Sequence, residues 1–218
     1  MTVRVVIAAR GGPDAKRRCA AVLPGHARAG LVRAMLSDML SALGEMPELG
    51  SPLVVTPTDE LAAIAAQHGG QVLHEDTAQG LAAAFRRGQQ EIARSDPHAL
   101  IVLLPGDLPL LDPAELSDAV AQVQHGEVGI VAATTDGGTG ALLLEAGQPF
   151  TFSYGEASCE RHLAAARLVG LHPRLINAPS LAFDADRPAD LAALADGQRA
   201  PQTRRWLTEH LPIEVSPR

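Results

Sequence analysis

Aromatic residues are scarce in this chain: Phe, Trp and Tyr make up 3% of its 218 residues. Ala, Leu and Val must therefore build the core. A hydrophobic content of 46% is enough for a globular fold and excludes a disordered chain. Cysteine is scarcer still. Cys19 and Cys159 make no CxxC, so a disulfide framework is excluded. No apolar run approaches the ~20 residues of a membrane span. The apolar stretch at 1–9 is too short for a secretory leader and ends at Arg10. A cytoplasmic protein without membrane partners is expected. Acid is nearly missing from residues 1–37, which hold seven Lys/Arg and only Asp14, although the chain as a whole carries −7. The overall charge argues against nucleic-acid binding. The basic amino-terminal end suits a small polyanion. Lysine is nearly absent too: Lys16 is the only one among 18 Lys+Arg. A compact ammonium at that place fits a phosphate contact, and codon bias would leave the same trace.

Familiar motifs are also missing. There is no Gly-Lys-Ser/Thr of a phosphate loop and no GxGxxG, since Gly11-Gly12 is followed by Pro13. Neither GxSxG, HExxH nor a zinc spacing occurs. These absences weaken a dinucleotide-dependent oxidoreductase, the reading from another class that the β-α start would allow. A non-catalytic nucleotide sensor is the third.

What is present is a β-α alternation. Strands are predicted at 3–9, 53–56, 71–74 and 99–104, with helices at 28–43, 59–68, 77–94 (capped by Asp76 or Thr77) and 113–124. This predicts a mostly parallel sheet with helices on both faces, in one domain spanning 1–218. The alternation then breaks. Strands at 128–134 and 141–144 flank TDGGTG, whose Asp136-Gly137 signals a hairpin and an antiparallel excursion. A helix is predicted at 156–168, with Ser153 and Glu156 spaced as a capping box. Strand candidates at 174–177 and 180–184, a helix from Pro188 and a short helix at 202–210 complete the chain.

The segment 101–113, IVLLPGDLPLLDP, is a doubly buried strand stopped by Pro105-Gly106. Asp107 follows at the carboxyl end of a central strand, where open α/β sheets bind ligands. It reads as a metal-binding carboxylate or as an Asx turn. Asp184 and Asp186, two apart at a predicted strand end, would point to one side and join Asp107 as hard oxygen ligands for Mg2+. Asp190 reads as a helix-start acid. Gly155 and Ser158 open a helix, which is a ready phosphate site or simple capping. The 136–140 loop, with Thr139, can wrap an anion or serve only as a turn. Cys159 and His162 lie within a helical run with no spaced partner, and packing or surface roles are expected for both.

Together these segments carry a resemblance. The basic loop after strand one, PGDLPLL at 105–111, GGT at 137–139, FSYGEASCERHLAAA at 152–166 and DADRPADL at 184–191 resemble the guanylyltransferases of coenzyme F420 biosynthesis. That family is similar to the wider group containing the molybdenum-cofactor guanylyltransferases, and the likeness spans about residues 3–195. It implies a three-layer, Rossmann-like nucleotidyltransferase fold. It also implies transfer of GMP from GTP to a three-carbon phosphocarboxylic acid: 2-phospho-L-lactate, phosphoenolpyruvate or 3-phospho-D-glycerate. By the same resemblance Asp107, Asp184 and Asp186 hold Mg2+, and Thr139, Gly155 and Ser158 hold the phospho-acid. Arg10, Gly11 and Lys16 hold GTP, with Lys16 and Asp107 serving catalysis. The chain departs from the family pattern at Ala8-Ala9-Arg10 (usually Pro-Val-Lys), at Arg17-Arg18-Cys19 (usually Ser-Arg-Leu) and at Ala82 (often Asn). These changes keep the positive charge and fall on the nucleotide side. Another small-molecule nucleotidyltransferase, such as a molybdenum-cofactor guanylyltransferase, is the nearest alternative.

Overall fold

The computed structural model describes residues 2–12, 15–135, 137–196 and 198–211. In chain order the first half reads β1 (Val3–Ala8), α1 (Gly25–Gly44), β2 (Leu53–Thr56), α2 (Asp59–Gln67), β3 (Gln71–His74), α3 (Leu81–Ser95), β4 (Leu100–Pro105) and α4 (Pro113–Ala121). The second half reads β5 (Glu127–Ala132), β6 (Thr139–Glu145), α5 (Ser158–Leu168), β7 (His172–Leu175), α6 (Pro179–Ala182), α7 (Pro188–Asp196) and α8 (Pro201–His210).

The seven strands form one sheet in the order β3-β2-β1-β4-β6-β5-β7. Its first four strands are parallel, β6 runs antiparallel to both β4 and β5, and β7 is parallel to β5. The antiparallel excursion is thus a single reversed strand inserted at the centre. Asp136, half of the predicted hairpin signal, lies outside the described residues.

Every side chain of β4 is buried. Its alternate residues feed two cores. Leu100, Val102 and Leu104 join Val5, Ile7, Leu36 of α1, Leu61 of α2 and Leu116 of α4 on one face. Ile101 and Leu103 join Val6, Phe85 of α3 and Ala166 of α5 on the other. Period-two alternation on a strand covered on both sides makes the whole run apolar. The result is three layers. A third cluster, built on Leu31 and Met35 of α1 with Leu191, Leu194 and Leu207, docks α7 and α8 outside α1.

Four local expectations are corrected. The helix predicted from 77 begins at Leu81, because Gly80 precedes it at φ 100° and no side chain caps it. The capping box at Ser153 and Glu156 does not form. Helix α5 starts after Ala157, whose backbone is left-handed and uncapped, while Arg161 gathers the carbonyls of Ser153 and Glu156 instead. Residues 180–184 are not a strand: Pro179 takes the first position of α6, which suits its fixed φ. A short apolar run does not by itself distinguish strand from helix. Asp184 and Asp186 therefore sit in a loop, where Asp186 N–H donates to the Asp184 carbonyl at 3.0 Å.

Candidate active site

The parallel strands β1 and β4 deliver their carboxyl ends to one edge of the sheet, and the reversed β6 delivers its beginning to the same edge. Ala8 pairs with Pro105 there. Gly106 continues the approach: a Cβ on it would sit 2.9 Å from the Ala9 backbone, so only glycine lets these two strand ends close together.

Lys16 reaches this edge from the loop after β1. Arg28 of α1 holds that loop, donating to the carbonyls of Ala15 and Leu23, both at 2.9 Å. Lys16 itself adopts a left-handed backbone (φ 51°), a conformation that costs a non-glycine residue of order 1 kcal/mol or more. Its side chain is 4% exposed, and its ammonium lies 2.6 Å from Asp107 Oδ2 and 2.8 Å from Asp186 Oδ1. Burial works against the charged ammonium, but the two carboxylates outweigh it and raise the Lys16 pKa. Burial pushes Asp186 up, while Lys16 and then Arg18, 3.1 Å away, pull it below the ordinary carboxylate value. The Asp186 backbone is tied down as well: its N–H and that of Arg187 donate to Asp190 Oδ2, and Cys19 Sγ donates to its carbonyl. Asp190 is the helix-start acid its spacing implied.

Two cavities meet at this cation-carboxylate centre, and Leu81, Pro105, Asp107 and Asp186 line both. The first, about 270 Å3, is completed by Arg10, Ala15, Lys16 and Val32 among others. Among the described residues Arg10 Nε and Nη2 are buried without a hydrogen-bond partner, and burial lowers the guanidinium pKa against the opposing pull of Glu75. Buried, unpaired donors on a cation are costly unless an anion meets them. Gly11 does not line this cavity; it packs beside Leu61 and Thr58.

The second cavity, about 200 Å3, is lined by Gly138, Thr139, Gly140, Gly155, Ser158 and Asp184, among others. Cys159 N–H donates to the Gly137 carbonyl at 3.1 Å, which fastens α5 to the loop before β6. Ser158 Oγ donates to Thr139 Oγ1 at 3.1 Å. Gly155 has φ 116°, a conformation L side chains rarely adopt. The structure thus gathers Thr139, Gly155 and Ser158, which are distant in sequence, across from Asp184 and Asp186.

Among the described residues Asp107 Oδ1 is buried with no partner, an orphaned acceptor beside the Lys16 ammonium. Asp107 and Asp186 would suit a hard cation, since one ammonium already touches both. The third predicted ligand is placed differently. Asp184 accepts from Thr135 Oγ1 at 3.4 Å, and among the described residues no group of three or more His, Cys, Asp or Glu gathers closely enough to hold a metal ion.

Sequence reasoning missed His162. It is fully buried and packs against aromatic rings as expected, but it is also hydrogen-bonded to Thr139, which lines the second cavity. The available signal was its position four residues after Ser158, one turn along the same helix face. Tyr154, whose buried hydroxyl has no partner, was also passed over.

The "Guanylyl transferase CofC like" family model matches residues 3–218. A 3-phospho-D-glycerate guanylyltransferase from Phenylobacterium zucineum is 43% identical over 206 residues, covering 94% of this chain and 94% of that protein. A phosphoenolpyruvate guanylyltransferase from Mycobacterium marinum is 35% identical over 214 residues, covering 95% and 94%. Among solved structures, a nucleotidyl transferase from Methanothermobacter thermautotroptrophicus superposes with a TM-score of 0.64 at 19% identity, over 88% of this chain and 95% of that one. A 4-diphosphocytidyl-2C-methyl-D-erythritol synthase gives 0.62 at 14%, over 89% and 98%. The two structures share the fold. Among the described residues no helix is long and apolar enough to cross a membrane.

Proposed function

Since this chain belongs to the CofC-like guanylyl transferase family and is a nucleotidyltransferase, we propose that it moves GMP from GTP to the phosphate of a three-carbon phosphocarboxylic acid. A phosphate oxygen of the acid attacks the α-phosphorus of GTP, the bond to the bridging oxygen breaks, and pyrophosphate leaves. The relatives' names point to 3-phospho-D-glycerate or phosphoenolpyruvate, and 2-phospho-L-lactate is the third acid the resemblance allows. The product would enter coenzyme F420 biosynthesis.

The observation that carries this reading is the pair of cavities sharing Asp107 and Asp186. The cavity with Arg10 and Lys16 takes the triphosphate. Arg10 offers two unpaired N–H donors there, and Lys16 supplies the compact charge that steadies the leaving pyrophosphate. The cavity with Thr139 and Ser158 takes the acid's phosphate, and its carboxylate faces the shared centre. Holding both reactants at one boundary is the main demand of phosphoryl transfer. Asp107 and Asp186 would hold Mg2+, with Asp184 at the rim toward the acceptor. When bound, the ion would neutralise charge on the transferring phosphoryl group.

The test is pyrophosphate release over four nucleoside triphosphates and the three acids, with and without Mg2+. Release with GTP, one of the acids and Mg2+ is expected. Equal release without any acid, or a preference for another nucleotide, overturns the assignment.

A further inference from the structure

Two hydroxyls line the acceptor cavity, and their hydrogen bonds decide which one has a proton to give. The count starts at His162 on α5, which packs between the rings of Phe150 and Tyr154 at centroid distances of 5.8 and 4.9 Å. Its Nε2 lies 2.9 Å from the backbone N–H of Ser153. An amide N–H only donates, so Nε2 carries no proton. In a neutral imidazole the proton is then on Nδ1. Burial first, and Arg161 second, lower the His162 pKa to about 4, so the ring is neutral under ordinary conditions. Nδ1 is 2.9 Å from Thr139 Oγ1 and therefore donates to it. Ser158 Oγ donates to the same oxygen at 3.1 Å. A hydroxyl oxygen has two lone pairs and one proton. Both Thr139 lone pairs are occupied, so its proton points to neither neighbour, and Thr139 borders the cavity.

We propose that His162 is a positioning residue: held as the Nδ1–H tautomer by the Ser153 amide, it acts with Ser158 to make Thr139 a one-way donor to the acceptor's phosphate. This rests on the phospho-acid reading above. Ser158 then works through Thr139 and not by donating to the ligand itself. A hydroxyl that can only donate suits an ionised oxygen, which only accepts. It discriminates against a neutral isostere whose own donor would face it.

The experiment uses the full chain with His162→Leu, His162→Asn and His162→Gln. Asn keeps a donor near Nδ1 and loses the acceptor for Ser153; Gln does the reverse. The Leu and Gln variants are expected to raise the KM for the phospho-acid about tenfold, with the KM for GTP unchanged and kcat at saturating acid retained. Asn stays within about threefold of wild type, since its donor is kept. A 15N spectrum of the wild-type protein reads the tautomer directly, with His162 identified through its contacts to Phe150 and Tyr154. It needs no variant to fold. An Nε2–H tautomer overturns the proposal whatever the kinetics. So do equal acid KM values for Asn and Gln, or a GTP KM that rises together with the acid KM. A wild-type protein that turns over none of the three acids sinks the functional reading as well. Wild-type turnover combined with any of the failures above sinks this proposal alone.

Discussion

The two cavities share a wall but are built on opposite terms. The cavity proposed for the nucleotide is charged and incompletely paired: among the described residues an arginine with two unpartnered nitrogens and a lysine drawn to two carboxylates. The cavity proposed for the acid also carries charge, since Arg18 lines it together with Asp107, Asp184 and Asp186, but its hydroxyls are paired inward, with Ser153, His162, Thr139 and Ser158 in one chain of hydrogen bonds. A triphosphate is large and highly charged, so field strength can hold it with little shape. A three-carbon acid offers few contacts, so each donor must be aimed before the acid arrives. Charge at one pocket and geometry at the other make different mutations informative.

The largest effect is expected at the shared wall. Asp107→Asn keeps size and hydrogen bonding but removes a hard anionic ligand. Loss of metal-assisted charge stabilisation, worth several kcal/mol, should lower kcat by roughly a hundredfold or more with either substrate saturating. A folded variant with wild-type turnover at limiting Mg2+ would remove Asp107 from the metal site. Next comes Lys16→Ala. Losing a charge-assisted phosphate contact costs ~1.5–3 kcal/mol, so kcat/KM for GTP should fall about ten- to a hundredfold. An unchanged GTP response alongside a raised acid KM would shift the lysine to the other pocket.

Ser158→Ala should be milder and one-sided. It removes one neutral bond feeding Thr139, worth ~1 kcal/mol, and should raise the acid KM about fivefold with GTP use unaffected. A parallel rise in the KM for GTP would erase the contrast between the two pockets. The last effect is on stability and leaves turnover at neutral pH untouched. Burial holds the folded His162 pKa near 4, below its ordinary 6.5. Between those values the unfolded chain binds a proton that the folded chain refuses. Stability from this residue is complete above about pH 6.5 and is lost as pH falls toward about 4. Urea denaturation between pH 7.5 and 4.5 should show that slope in wild type and a flatter one in His162→Asn. Identical slopes would mean that the ring is not kept neutral.

The legibility of the chain follows the same divide. Strands β1 and β4 were readable because a strand covered on both faces has no polar positions to blur its run. Asp107 was readable because Pro105 and Gly106 leave an acid stranded at the strand's end. The loop after β1 stood out through its charge, which survives without knowledge of conformation, and the structure brings its Lys16 to Asp107 and Asp186. The geometric pocket was less open to reading. The start of α5 is set by the left-handed backbone of Ala157 and by Arg161 holding two carbonyls, and neither leaves a mark in residue type. His162 looked inert because its partners, Thr139 and Ser153, come from other segments. Residues 180–184 were misread as a strand because Ser180, Leu181 and Ala182 are equally at home in a short helix begun by Pro179.

The reversed central strand has a further consequence, for the order in which the molecule can be assembled. Strands β3, β2, β1 and β4 are adjacent and are synthesised first, so the nucleotide half can form its sheet while the rest is still on the ribosome. Strand β4 then has an open edge, LIVLLP, until residues 139–145 arrive to pair with it. An uncharged apolar edge of that length is a template for pairing with a second nascent chain. A chain that ends before β6 is therefore the aggregation-prone species of this protein, and a version truncated just before residue 139 should aggregate under conditions where the full chain does not.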